Sequence, residues 1–131
     1  GARLVYYVFG FEMTGLAPGY YLFMAQTRPE TADEVVQRIQ RNIEQVRSEG
    51  IPKEELALAK EKLIAGEALR NTTPGEQAFQ AALNELYGLG YDYDAGYADR
   101  INAVTSDDLQ AVVAKFFRNP LVITTQPESG E

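Results

Sequence analysis

The chain has 131 residues, 45% of them hydrophobic and 24% charged, with six Pro and 11 Gly; this is the balance of a folded chain with room for one modest core. Twelve Lys and Arg against 19 Asp and Glu leave a net charge of -7, which repels a phosphate backbone and an anionic membrane surface, so neither nucleic acid nor membrane is an expected partner. With no His and no Cys, imidazole and thiolate metal sites, Ser-His-Asp and Cys-His catalysis and disulfides are all excluded, and any chemistry rests on carboxylates, Tyr, Lys and Arg.

Gly1 to Glu12 reads as a strand rich in Val, Tyr and Phe. It starts with no cap, linker or initiator Met, as a piece of a longer chain would. Tyr20 to Thr27 is a second β-rich run, and the turn-forming stretch Thr14 to Gly19 before it predicts an antiparallel pair. Both runs are apolar on both faces, the pattern of strands covered on each side or facing a partner.

After Arg28-Pro29 the apolar period changes from two to about 3.6. Thr31 to Glu34 forms a capping box, and Val35, Ile39, Ile43 and Val46 share one helical face until Gly50 stops the helix. Pro52 opens a second helix led by Glu54 and Glu55, with Leu56, Ala59, Leu63 and Gly66 on one face. Gly66, beside Ala65 and Ala68, reads as a point of close helix packing. A second capping box, Thr73 to Glu76, opens a helix with Phe79, Ala82, Leu83 and Leu86 inward, ended by Gly88 and Gly90. A shorter helix carries Tyr97, Ile101 and Val104, and Thr105 to Asp108 caps a fifth that buries Leu109, Val112, Val113 and Phe116. Asn119-Pro120 then breaks into a last strand, Leu121 to Thr125. The order β-β-α-α-α-α-α-β predicts an α+β fold, with helices on one side of a mostly antiparallel sheet. Its expected core is Val35, Ile39, Leu63, Phe79, Leu83, Val112 and Phe116, within a single partial domain over residues 1–131.

Three acidic pairs, Glu54-Glu55, Asp92/Asp94 and Asp107-Asp108, have the composition of a cation site or of paired acids. Each stands at or near a helix start, where carboxylates oppose the dipole and cap free N–H groups, and capping is the reading taken. The tyrosines at 20, 21, 91, 93 and 97 read as packing rather than as a ligand cage.

In their order and spacing, four passages resemble the insulinase/pitrilysin family of zinc peptidases, which includes the mitochondrial processing peptidases. Leu4-Val5-Tyr6-Tyr7-Val8 resembles the strand G-L-x-Y-x-V, and the turn and second strand follow to Ala25-Gln26-Thr27 and the first helix. Ser48 to Lys60 resembles x-E-G-V-T-E-E-E-L-x-x-A-K, and Ile101 to Leu109 resembles I-x-A-V-T-x-E-D-L. The resemblance implies the C-terminal half of the family's second, non-catalytic domain. Zinc and the H-x-x-E-H motif belong to the first domain, so no cofactor is expected in this chain and Zn is expected in the catalytic domain of the parent protein. The implied role is to shape a peptide-binding chamber; the implied partners are the catalytic domain or subunit and the peptide substrate. Active members carry an Arg and a Tyr seven residues apart that reach toward the peptide. The Tyr of that pair matches Tyr6, whereas the Arg would fall ahead of Gly1, and Arg3 stands where the strand usually has Gly. A phenol suits the role, because its hydroxyl can donate to a carbonyl oxygen on which negative charge develops. Tyr7, on the opposite strand face, reads as packing. The alternative is a structural or peptide-binding homologue without peptidase activity, similar to the core proteins of respiratory complexes. The absence of Cys fits the cytoplasm and the bacterial envelope equally. A chain cut from a larger sheet is also expected to self-associate.

Overall fold

The computed structural model describes residues 4–70 and 72–126. They comprise strands β1 (Tyr7–Met13) and β2 (Tyr20–Gln26), a 3-10 turn at Pro29–Thr31, and helices α1 (Ala32–Glu49), α2 (Lys53–Arg70) and α3 (Pro74–Leu86). A second 3-10 turn, Tyr93–Gly96, leads into α4 (Tyr97–Ala103) and α5 (Ser106–Phe116). The fold is α+β, with two antiparallel strands followed by five α-helices among the described residues. The chain divides into two compact units, residues 1–48 with 112–131 and residues 49–111.

In the first unit the aromatic and β-branched residues of both strands favour extended backbone. The register runs from Tyr7↔Gln26 to Met13↔Tyr20. Side chains alternate along a strand, so Tyr7, Phe9, Phe11 and Met13 share a face with Tyr20, Leu22 and Met24, and Tyr21 and Phe23 lie on the other. On the first face Tyr7, Phe9 and Phe11 stack in sequence, with ring centroids 5.6 and 5.8 Å apart. On the second, Phe117 packs against Tyr21 and Phe23 at 5.2 and 5.7 Å. Arg47, near the end of α1, holds that residue by donating to the Phe117 carbonyl at 2.6 Å. Gly19 makes the tight hairpin possible, because a Cβ there would sit 1.7 Å from the Met13 carbonyl oxygen.

The second unit is built from helices with local caps. Thr73 and Glu76 form a complete capping box on α3, the Glu76 N–H donating to the Thr73 hydroxyl (3.3 Å) and the Thr73 N–H to the Glu76 carboxylate (2.9 Å). Thr105 and Asp108 repeat the device on α5 at 3.2 and 2.8 Å. Gly50 ends α1 at φ +79°, a conformation that suits glycine. Lys60 on α2 donates to the Asn102 carbonyl at 2.8 Å, placing a cation at the carbonyl-rich end of α4.

Burial departs from the sequence expectation. Val35 is buried, at 6% exposure, and Ile39 and Leu83 are half-buried, but Leu63, Phe79, Val112 and Phe116 stand in solvent, Phe79 and Phe116 at 66% and 65%. Amphipathic spacing marks which face is apolar; whether another element covers that face is a separate matter, and among the described residues none covers these four. The hairpin likewise is not enclosed on each side: Tyr7, Val8, Phe9 and Met13 are exposed. The closing strand does not form among the described residues. Residues 121–126 carry no ladder, and Leu121 and Ile123 are exposed, because a β-favouring composition makes a strand only where a neighbouring edge accepts it. The space around a Cβ built on Gly66 is open to 4 Å, so no described helix packs closely there. Thr31 does not cap α1: it lies in the 3-10 turn, and its hydroxyl turns back to Thr27 and the Arg28 carbonyl.

Candidate functional site

Tyr6 precedes β1 by one residue and is 70% exposed, so its phenol is open to a ligand. The backbone around it is fastened to the end of β2. The Tyr6 N–H donates to the Gln26 carbonyl at 2.8 Å, and two residues earlier the Leu4 carbonyl accepts from the Thr27 hydroxyl at 2.5 Å. The Thr27 and Thr31 hydroxyls lie 2.7 Å apart, and Thr31 also reaches the Arg28 carbonyl at 3.1 Å. Arg28 precedes Pro29 and is extended at φ -78°, ψ 150°, as proline requires of its predecessor. That bend brings Thr31 back beside Thr27. Sequence reasoning missed both threonines; the available signal was two hydroxyls four residues apart around an x-Pro bend. Arg3 lies outside the described residues.

The acidic pairs serve the helices. Glu54 and Glu55 stand in the first turn of α2, and Asp107 and Asp108 in that of α5. The N–H and hydroxyl of Thr73 bond the Glu76 carboxylate and hold its pKa below the ordinary value. The Thr105 hydroxyl, and secondarily its N–H, does the same for Asp108. Asp94 is engaged elsewhere, accepting from Asn84 Nδ2 at 3.0 Å and so satisfying a side chain only 3% exposed, while Gln80 donates to the Asn84 amide oxygen at 3.3 Å. Among the described residues no three of Asp, Glu, His and Cys stand together as metal ligands would. Zinc finds no fitting ligand set there.

The tyrosines do not converge as a cage. Tyr20 and Tyr21 lie on opposite faces of the hairpin. In the second unit Tyr93 lies beneath the Arg100 guanidinium, 3.7 Å from its ring centroid, with Arg100 Nη1 donating to the Tyr93 carbonyl at 2.8 Å. Each unit also has a concavity. That of the first, about 1000 Å³, is walled by Tyr20, Tyr21, Phe23, Ile43, Phe116 and Phe117. That of the second, about 340 Å³, presents Glu67, Gln77, Gln80, Tyr91, Asp92 and Asp94.

The hairpin and the first helix are similar to those of a known domain. The sequence model described as the Peptidase M16 inactive domain matches residues 2–63, a stretch that contains Tyr6, Thr27 and the whole hairpin. No curated protein matches the chain in sequence. Among solved structures, the chain resembles the inactive peptidase domain of a protein assigned as a zinc protease from Bordetella parapertussis. The TM-score is 0.73 at 24% identity, over 95% of this chain and 70% of that one, which establishes a shared fold. Over residues 2–63 the chain is thus similar to the inactive domain of M16 peptidases, and over nearly its whole length it shares the fold of one such domain.

Proposed function

We propose that this chain forms one wall of the peptide-binding chamber of a zinc-dependent endopeptidase and that Tyr6 touches the bound peptide. The catalytic domain of the same protein is its partner and carries the metal, as the description of the Bordetella neighbour as a zinc protease suggests. Tyr6 supplies a hydroxyl that donates to the scissile carbonyl oxygen as charge develops there, a contact that strengthens in the transition state. The observation carrying this reading is the exposure of Tyr6 at the start of β1, within the stretch matched by the inactive-domain model. A tyrosine serving only as core would bury its ring.

The test uses the chain assembled with its catalytic domain. Tyr6→Phe removes only the hydroxyl, so kcat should fall about 10- to 1000-fold, the range for one lost oxyanion-type donor, with unchanged thermal stability. A Phe variant with native kcat would make Tyr6 a packing residue.

A further inference from the structure

The backbone on the approach to Tyr6 is fastened from one side by one hydroxyl. Thr27 has a single hydroxyl proton, and the Leu4 carbonyl oxygen lies 2.5 Å away to accept it. The Thr27 oxygen then accepts the single hydroxyl proton of Thr31 at 2.7 Å, the shorter of its two contacts, since the Arg28 carbonyl at 3.1 Å already accepts the Thr31 N–H (3.0 Å), the bond by which the 3-10 turn sets the position of Thr31. A relay of two hydroxyls thus ties the helix-entry turn to the residues before β1. With the Tyr6 N–H bonded to Gln26, residues 4 and 6 are both held against residues 26 and 27. β1 itself begins only at Tyr7, so without the hydroxyl one end-of-ladder hydrogen bond would be left to place Tyr6.

We infer that Thr27 is a positioning residue for Tyr6: its hydroxyl clamps the Leu4 carbonyl and so holds the Tyr6 phenol at one setting toward the peptide. This rests on the proposed contact between Tyr6 and substrate. A phenol donates usefully only if its oxygen is already where charge will appear, and a displacement of about 1 Å can cost on the order of 100-fold in rate. Thr31 supports the clamp one step removed. The contact spans 23 residues of sequence, so it also couples the geometry of Tyr6 to the start of α1.

The experiment is a double-mutant cycle on the chain assembled with its catalytic domain, reading kcat and KM together with amide exchange at Tyr6. Thr27→Val keeps the shape and removes the hydroxyl; kcat should fall about 3- to 30-fold with KM nearly unchanged, and the Tyr6 amide should exchange faster. Thr27→Ser should restore both. In the Tyr6→Phe background, Thr27→Val should have no further effect on kcat, because there is no hydroxyl left to misplace. Thr31→Val should give a smaller loss of the same pattern, and it stands in if Thr27→Val does not fold. Native kcat in Thr27→Val beside a slow Tyr6→Phe overturns the positioning role alone, as does an equal loss in both backgrounds, which would mark a structural residue. Native kcat in Tyr6→Phe ends the Tyr6 reading instead. Unchanged amide exchange in Thr27→Val overturns the clamp whatever Tyr6 does.

Discussion

Asn84 shows how strongly one polar side chain can be committed inside a helical unit. It is 3% exposed and donates to Asp94 at 3.0 Å across the loop that follows α3. A buried amide with no acceptor costs more than the net worth of the bond, because the group loses water and gains nothing. Asp94→Ala is therefore expected to destabilise the chain by about 1–3 kcal/mol, measured by urea denaturation at neutral pH. Stability equal to the parent would show that Asn84 finds another acceptor. Neither this bond nor the Thr27 clamp is legible in the sequence. The neighbours of Asp94 along the chain assign it to a helix start, whereas its partner is ten residues away, and the partner of Thr27 is 23 away. The proposal for Tyr6 starts from the sequence because the strand motif around it is contiguous.

Among the elements, the helices are the readable part, since what starts and stops them is local. Thr73 with Glu76, Thr105 with Asp108, and Gly50 and Gly88 at positive φ all do what their spacing predicts. Thr31 departs from the same rule because Pro29 imposes a 3-10 turn before α1. The run Leu121 to Thr125 forms no strand because a strand needs a partner edge that its own residues cannot supply. The two working boxes make a pH prediction. Hydrogen bonds from Thr73 and Thr105 hold the Glu76 and Asp108 carboxyls below their ordinary pKa, so the folded state favours the ionised forms. Their contribution is then fully present above the ordinary carboxyl pKa and is lost as pH falls through the lowered one. A chain carrying Glu76→Gln and Asp108→Asn should be less stable than the parent at neutral pH, and the gap should close on acidification through the carboxyl range. Thermal melts followed by circular dichroism across that range measure it; a gap independent of pH would assign the effect to lost side-chain packing instead.

At the scale of the whole molecule, many large apolar side chains among the described residues are left to water. Phe79, Phe116, Leu121 and Ile123 are exposed, as are Tyr7, Phe9, Met13, Tyr20 and Met24 on one uninterrupted face of the hairpin. Fold class and element order can be read from the sequence, but this exposure cannot, because a period of 3.6 or 2 reports the direction of an apolar face and not its cover. Such faces are stabilised by association, and each of β1 and β2 has just one ladder neighbour among the described residues, leaving a second edge able to pair. Against association stands the net charge of -7, whose repulsion between copies is long-ranged at low salt and screened within about 8 Å near 0.15 M. Apolar contact is not weakened by that screening. The chain by itself should therefore self-associate at micromolar concentration, and more strongly as NaCl is raised from about 0.01 to about 0.15 M, which shortens the screening length from about 30 to about 8 Å. Sedimentation equilibrium across that salt series is the measurement. Mass that grows with concentration and with salt is the expected result; a monomer at every salt concentration would mean that the exposed faces are too small or too separated to hold two copies together.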